Sequence, residues 1–358
     1  MIKEQLVDYI TLHKLIDTRL KPYVKQIDEE AFYAKEYLTS LGEHGFYLLE
    51  KSEQNTLLKR FALIEETAKV CMTTAFCLWC HLAATTYITH TPNRTLRNTL
   101  LPKLTSGTLL AGTGLSNPLK SFAKLEPLHL KAERIKGGFI VNGSLPAISN
   151  IGPEQAFAFI AEEKEESKVM GLTFCNAKGL KLRQRTGFIG VNGSATYSCT
   201  FKNVFIPETQ IITEAVDSFI EEIRTRFLAY QIPLALGVTT SSITLMEQLT
   251  EKHSDNNINR YLPIQPDQLH RKNNQLRSQL VEIIAQDDLA WEALTDLRLR
   301  SVYLTLETVQ GAMLHHGGRG YVKFSVAERK LREAYFLVNL TPTVKHLEAI
   351  KSRRKQAN

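Results

Sequence analysis

The sequence predicts an α+β fold with an N-terminal helical domain, a central β-barrel or sandwich domain and a C-terminal four-helix bundle. Three observations carry this expectation. Apolar residues recur at helical spacing from about residue 3 to 104, short β-rich runs fill about 108–213, and helical periodicity returns from Asp217. The changes of texture divide the chain into domains 1–107, 108–214 and 215–358.

In the first domain, Leu6, Tyr9, Ile10, Leu12, Leu15 and Ile16 form one apolar helical face, and Gly42, Gly45 and Ser52-Glu53-Gln54-Asn55 interrupt the helices. Val70–Thr91 holds no Asp, Glu, Lys or Arg and is long enough to cross a bilayer. Its many threonines and His81 and His90 predict a helix buried on all sides rather than a membrane span.

The central region reads as strands at Leu128–Ala132, Gly138–Asn142, Ala156–Ala161, Val169–Phe174 and Ala195–Phe205. Gly137-Gly138, Asn142-Gly143 and Asn192-Gly193 supply the tight turns between them. In the last domain Leu234, Leu236, Gly237, Val238, Ile243, Leu245 and Met246 mark a packed helix. A polar loop is expected over Lys252–Asn274, and further helices from Leu276 and Ala327.

With 358 residues, 43% hydrophobic and 23% charged, the chain can bury a sizeable core. A net charge of +7 favours acidic partners such as CoA phosphates, a flavin diphosphate or nucleic acid and selects none of them; a nucleic-acid partner is not expected. Five cysteines, odd in number and without paired metal spacing, suit reduced buried thiols in a cytoplasmic protein. The opening Met1–Gln5 segment leads into charged residues and is not read as a secretory leader.

Gly112-Thr113-Gly114-Leu115-Ser116-Asn117 imitates part of a dinucleotide fingerprint, yet it lacks the third glycine and enters a β-rich region. No Walker loop, Gly-x-Ser-x-Gly elbow or His-Glu-x-x-His pair is present in the sequence.

Other segments carry a resemblance. His316-Gly317-Gly318-Arg319-Gly320-Tyr321, then Glu328-Arg329-Lys330-Leu331-Arg332-Glu333, then Thr341-Pro342-Thr343 resemble the C-terminal signature of the acyl-CoA dehydrogenase family. Leu100–Gly107, Ser116-Asn117-Pro118, Gly138–Asn150 and Phe201–Pro207 resemble the family's β-domain segments in the same order. The resemblance implies bound FAD, an acyl-CoA substrate, a separate electron acceptor and a homo-oligomer, dimer or tetramer. It implies flavin contacts at Leu115, Ser116, Ile148 and Ser149, and contacts to the diphosphate and adenosine end at Gly317, Gly318 and Thr343.

Four departures stand beside these matches. Thr341 takes the place of the family's glutamate base, and Thr225, next to Arg226, takes the place of an alternative base. A threonine hydroxyl does not titrate near neutrality and cannot remove an α-proton as a carboxylate does. Ala147 replaces a large aromatic over the flavin. Arg260-Tyr261-Leu262-Pro263 is a loose match to the motif that reaches a neighbouring subunit, and Leu314 replaces a cofactor-binding glutamine.

The resulting expectation is α,β-dehydrogenation of an acyl-CoA thioester, with Thr341, Arg226, Glu222 and His81 as candidate catalytic residues and Glu221 as a further replacement base. The alternatives are a flavin monooxygenase acting on a small aromatic or sulfur compound and a flavin- or CoA-binding subunit without turnover. For His81 the bland reading is a hydrogen-bonded core histidine. Arg329, Arg332 and Glu333 are read as structural ion pairs.

Overall fold

The helices before residue 106 and those after 215 bury their apolar faces against one another, and the intervening strands enclose a second core. The computed structural model describes residues 6–164, 167–252, 258–286 and 289–357. Its first part comprises α1 (Tyr9–Leu15), α2 (Val24–Glu29), α3 (Lys35–Glu43), α4 (Glu53–Val70), α5 (Met72–His90) and α6 (Arg94–Thr105). Asp8, Ser52 and Asn93 start α1, α4 and α6 by accepting backbone N–H groups of the first turn. The expected apolar face of α1 is corrected at one residue: Leu12, Leu15 and Ile16 are buried, whereas Ile10 is 85% exposed.

The uncharged run forms α5, buried from Met72 through Ile88. It fills the middle of the helical core, and no described helix is long and apolar enough to cross a membrane.

The central part contains β1 (Ala111–Thr113), α7 (Ser116–Phe122), β2 (Leu130–Ile135), β3 (Gly138–Ile148), β4 (Ala156–Glu162), β5 (Lys168–Phe174), β6 (Leu180–Gln184), β7 (Tyr197–Pro207) and β8 (Ile211–Thr213). They make one mixed sheet in the order β6-β7-β3-β2-β4-β5-β8, with β1 alongside β4. The expected hairpin of residues 131–143 is the antiparallel β2–β3 pair. The parallel pairs β1–β4 and β2–β4 link residues distant in sequence, which local alternation cannot report. Phe139, Phe157, Phe159, Phe201 and Ile206 fill the sheet's own core.

The last part holds α8 (Val216–Ala229), α9 (Gln231–Lys252), α10 (Pro266–Ile284), α11 (Trp291–His316), α12 (Val326–Asn339) and α13 (Val344–Ala357). The loop expected over 252–274 ends early, because Pro266 opens α10 and Leu269 and Asn273 are buried on its inner face. Residues 253–257 lie outside the described residues. Gly237 on α9 faces α4 so closely that a Cβ would stand 2.5 Å from the Glu65 carbonyl oxygen. This lets two long helices cross backbone to backbone.

Charged groups fasten α12 to the start of α5. Glu333 pairs with Arg329 and Lys330 at 2.9 Å each, and all three side chains are nearly buried. Arg329 Nη1 donates to the Val70 carbonyl at 3.0 Å, and Lys330 Nζ donates to the Ala68 carbonyl at 3.1 Å. Burial pushes the Lys330 ammonium pKa down, against the pull of Glu333. Arg332 grips Asp28 on α2 through two bonds of 2.7 and 2.6 Å. The Arg329–Glu333 pair is as read from the sequence, whereas Arg332 turns to Asp28 and Glu328 instead of Glu333.

Candidate functional site

Residues 111–116 and 148–150 meet at the seam between the sheet and the helices. Asn150 Nδ2 donates to the Ala111 carbonyl at 2.9 Å, and a Cβ on Gly112 would lie 2.5 Å from the Ser149 carbonyl oxygen. The close approach depends on that glycine. Leu115, Ser116, Ile148 and Ser149 therefore lie on neighbouring segments.

Leu115 packs into the helical core and Ile148 into the sheet core. Ser149 Oγ lies 2.7 Å from Thr196 Oγ1, which lies 2.7 Å from Ser194 Oγ. Ala147, just before them, is exposed.

Ser116 opens α7 and reaches across to the helical bundle. Its Oγ lies 2.9 Å from Thr341 Oγ1. The Thr341 carbonyl accepts from Gln231 Nε2 at 2.8 Å, and Gln231 Oε1 accepts from Arg298 Nε at 3.0 Å. Arg298 Nη2 donates to the Leu337 carbonyl at 2.8 Å. Arg298 is fully buried, and burial pushes its pKa down to about 9. A buried guanidinium thus holds the α12–α13 connection through Gln231. Thr341 offers only a hydroxyl, already paired with another hydroxyl.

A groove of about 810 Å³ opens beside this connection, between α7, α8, the start of α11 and α13. Leu119, Phe122, Ile220 and Trp291 give it apolar walls, and Pro342 and Thr343 line it. Arg224, Lys345 and Arg353 bring positive charge, and Asp217 and Glu221 bring negative charge. Arg224 stacks 4.8 Å from the Trp291 ring centroid and pairs with Glu221, while Asp217 pairs with Lys168. Thr343 Oγ1 accepts the His346 N–H at 3.3 Å and so caps α13. Burial and nearby Arg353 lower the pKa of His346. Apolar walls with cationic groups suit a long ligand that is partly apolar and carries negative charge.

The other expected residues lie elsewhere. Arg226 pairs with Glu53 and donates to the Glu222 carbonyl at 2.6 Å, and the Glu222 carboxylate meets His90 Nδ1 at 2.9 Å. Arg226 and Glu222 line a cleft with Gln54, Thr225 and Leu289, while Pro342 and Thr343 line the groove. Glu221 lines both.

His81 is corrected from a candidate acid or base to a core brace. It is fully buried, its Nε2 meets the Leu104 carbonyl at 3.1 Å, and its Nδ1 accepts the Ala111 N–H at 3.3 Å. Both ring nitrogens are engaged with backbone, and burial pulls the pKa down to about 3.

Gly317 and Gly318 end α11, and a Cβ on either would meet nothing within 4 Å. The 19 positions from Arg298 to Gly317 place this bare turn roughly 28 Å along the helix from the Thr341 anchor. The turn and the hydroxyl seam therefore lie at opposite ends of α11.

Sequence reasoning missed an aromatic cluster. Phe76 stacks on Trp79 at 5.6 Å and meets Phe336 edge-on at 4.6 Å, while Trp79 meets Phe227 at 4.8 Å. Phe227 follows Ile220 and Ile223 on the buried face of α8, so this cluster lies inward from the groove. Its members come from three distant helices, and only helical spacing on α8 hinted at it.

Residues 4–108 match the family model described as "Acyl-CoA dehydrogenase, N-terminal domain". The chain is 26% identical to the short/branched chain specific acyl-CoA dehydrogenase of Rattus norvegicus over 230 residues, covering 58% of this chain and 50% of that protein. It is 24% identical to the short-chain specific acyl-CoA dehydrogenase of Clostridium acetobutylicum over 226 residues, covering 59% and 58%. The chain thus spans about half the length of these curated relatives. Butyryl-CoA dehydrogenase from Megasphaera elsdenii has the same fold, with a TM-score of 0.86 at 15% identity over 99% of this chain and 98% of that one. In fold and in sequence, the chain is acyl-CoA dehydrogenase-like.

Proposed function

We propose that the chain is an FAD-dependent oxidoreductase of the acyl-CoA dehydrogenase type that takes an acyl-CoA thioester through the α7–α8–α13 groove. The observation that carries this reading is the groove itself. It is about 810 Å³, walled by apolar side chains, carries Arg224, Lys345 and Arg353, and is lined by the residues that follow Thr341. The apolar walls suit a pantetheine arm, and the basic groups suit its phosphates.

The residues present fit FAD. The Ser116 and Ser149 hydroxyls lie on adjoining segments at the seam, where short hydroxyls bond a polar ring edge without filling its space. The bare Gly317-Gly318 turn lets backbone N–H groups approach a diphosphate. Its distance from the seam favours a homo-oligomer in which one copy supplies the hydroxyls and another the turn. When bound, FAD supplies the two-electron acceptor, and a further acceptor reoxidises it.

Thr341 and Ser116 hold hydrogen-bonding positions rather than a base. Glu221 lines the groove, paired with Arg224, and is the candidate proton acceptor, while Glu222 lies outside the groove against His90. Arg226 lines the neighbouring cleft, where it pairs with Glu53.

Anaerobic visible absorbance of the purified, FAD-loaded protein against a panel of acyl-CoA thioesters tests the reading. Bleaching by one thioester, lost in Glu221→Gln, supports it. A bound flavin that no thioester bleaches overturns it.

The Ser116–Thr341 hydroxyl pair also favours a second reading, a flavin- and thioester-binding subunit that does not turn over. Its signature is thioester binding that perturbs the flavin spectrum without bleaching it. Exposed Ala147 leaves the approach beside Ile148 open, as a monooxygenase acting on a small aromatic compound requires. That reading calls for oxygen uptake that depends on reduced flavin.

A further inference from the structure

His346 lines the groove beside Thr343 and is half-buried. Its two ring nitrogens differ in their surroundings. Nδ1 is buried and has no hydrogen-bond partner among the described residues. Nε2 is not buried in this way and makes no hydrogen bond among the described residues, so it is the open nitrogen of the ring. A proton on Nδ1 would be a buried N–H without an acceptor, the rarer and costlier kind of orphan. The proton therefore sits on Nε2, which makes the open nitrogen a donor.

The same geometry keeps the ring neutral, because an imidazolium needs N–H groups on both nitrogens. His346 is the third residue of α13, where the positive end of the helix also disfavours a cation. Arg224, Lys345 and Arg353 line the groove with it, and the carboxylates there, Asp217 and Glu221, are taken by Lys168 and Arg224. Burial and Arg353 lower its pKa in agreement with this. A neutral donor among cations suits a carbonyl oxygen, while the cations suit phosphate.

Position along α13 selects the carbonyl. Of the α13 residues in the groove, Arg353 lies farthest from Thr343, and its seven positions beyond His346 span roughly 10 Å of helix axis. An extended chain gains roughly 1.2 Å per bond, so the two amide carbonyls of a pantetheine arm lie roughly 6 and 11 Å from its phosphorus and the thioester carbonyl roughly 17 Å. We propose that, with a CoA phosphate at Arg353, His346 Nε2–H donates to the pantetheine amide carbonyl nearer the thioester. The thioester then lies beyond His346, toward Thr343 and the Ser116–Thr341 pair. The proposal rests on the thioester reading of the groove and adds the residue that sets the depth of the arm.

Calorimetric titration of the FAD-loaded full chain with CoA tests it. His346→Phe, which keeps a ring and removes the donor, should weaken CoA binding about tenfold. His346→Gln, whose amide N–H replaces Nε2–H, should stay within about threefold of the parent. The tenfold factor should be equal at low and high salt, because a neutral donor is not screened. Nitrogen-15 spectra of the histidine-labelled parent, assigned by the signal missing in His346→Gln, should show a neutral Nε2–H ring at pH 7 whose Nε2 resonance shifts when CoA is added. Unchanged CoA affinity in His346→Phe overturns the proposal, as does a loss that vanishes at high salt, which would mark a phosphate contact. A proton on Nδ1 or an imidazolium at pH 7 overturns it whatever the variants do. Weakened CoA binding in His346→Phe, with a flavin that no thioester bleaches, would overturn the oxidoreductase reading and support this one. A parent protein that binds no CoA overturns both.

Discussion

Glu333 on α12 accepts the backbone N–H of Met72, the first residue of α5, at 3.2 Å. The same oxygen takes Arg329 at 2.9 Å, and the other lies 2.9 Å from Lys330 Nζ. One carboxylate thus caps the central helix and pairs with two buried cations. Glu333→Gln keeps the shape and removes the charge. It should destabilise the protein by about 3–5 kcal/mol, the range for breaking a buried ion pair from one side. Urea unfolding followed by circular dichroism checks this, and a change below about 1 kcal/mol would refute it.

His81 gives the protein an acid-labile core. Its folded pKa is depressed to about 3 from an ordinary 6.5, so below pH 6.5 the unfolded chain binds a proton that the folded chain refuses. Its contribution is complete above about pH 6.5 and is lost as pH falls toward 3, with a slope of about 1.4 kcal/mol per pH unit. His81→Gln should flatten the stability profile over that interval, whatever it does to stability at pH 8. Unchanged slopes would show that other groups govern acid unfolding.

Thr341 lacks a titrating group, and introducing one tests the placement of the chemistry. Thr341→Glu should raise the rate of thioester-dependent flavin bleaching by about 10²-fold or more, the usual range for a positioned base. Stopped-flow absorbance at the flavin band reads it. No gain, with FAD and thioester both still bound, would mean that position 341 does not face the substrate.

Gly318 has a negative φ and open space where a Cβ would be, so Gly318→Ala meets no clash in the chain. Its stability should stay within about 0.5 kcal/mol of the parent. If the turn receives a cofactor phosphate, FAD affinity should fall about tenfold, measured by flavin fluorescence quenching. Equal affinity would move the diphosphate elsewhere.

Arg353 stands on the exposed side of the groove. Arg353→Glu should weaken CoA binding by about five- to tenfold at low salt, with the difference shrinking as salt screens the charge. Titration calorimetry at two ionic strengths reads both effects.

The ordered motifs and the change from helical to strand texture were enough to place the fold class. Leu115, Ser116, Ile148 and Ser149 do fall on neighbouring segments, because the β1 and β3 ends that carry them are fixed by local turns and by Gly112. For His81 the core reading agrees with the buried, backbone-bonded ring, whereas Arg226 and Glu222 line a different cleft from Pro342 and Thr343. Which groups face one another across helices depends on helix rotation and packing, and neither is encoded in spacing along one helix.

Residue order alone was enough to bury α5 all round, to place the sheet after the first helices, and to set a hydroxyl at Thr341 where the family resemblance implies a carboxylate. These properties are local, set by hydrophobic period, turn chemistry and residue identity. Packing set the rest: Ser116 meets Thr341, Arg298 holds Thr341 through Gln231, and Arg60 donates to hydroxyls. Each of these joins residues from 26 to 225 positions apart. Contacts of that kind exist only after the burial of apolar surface has brought the helices together.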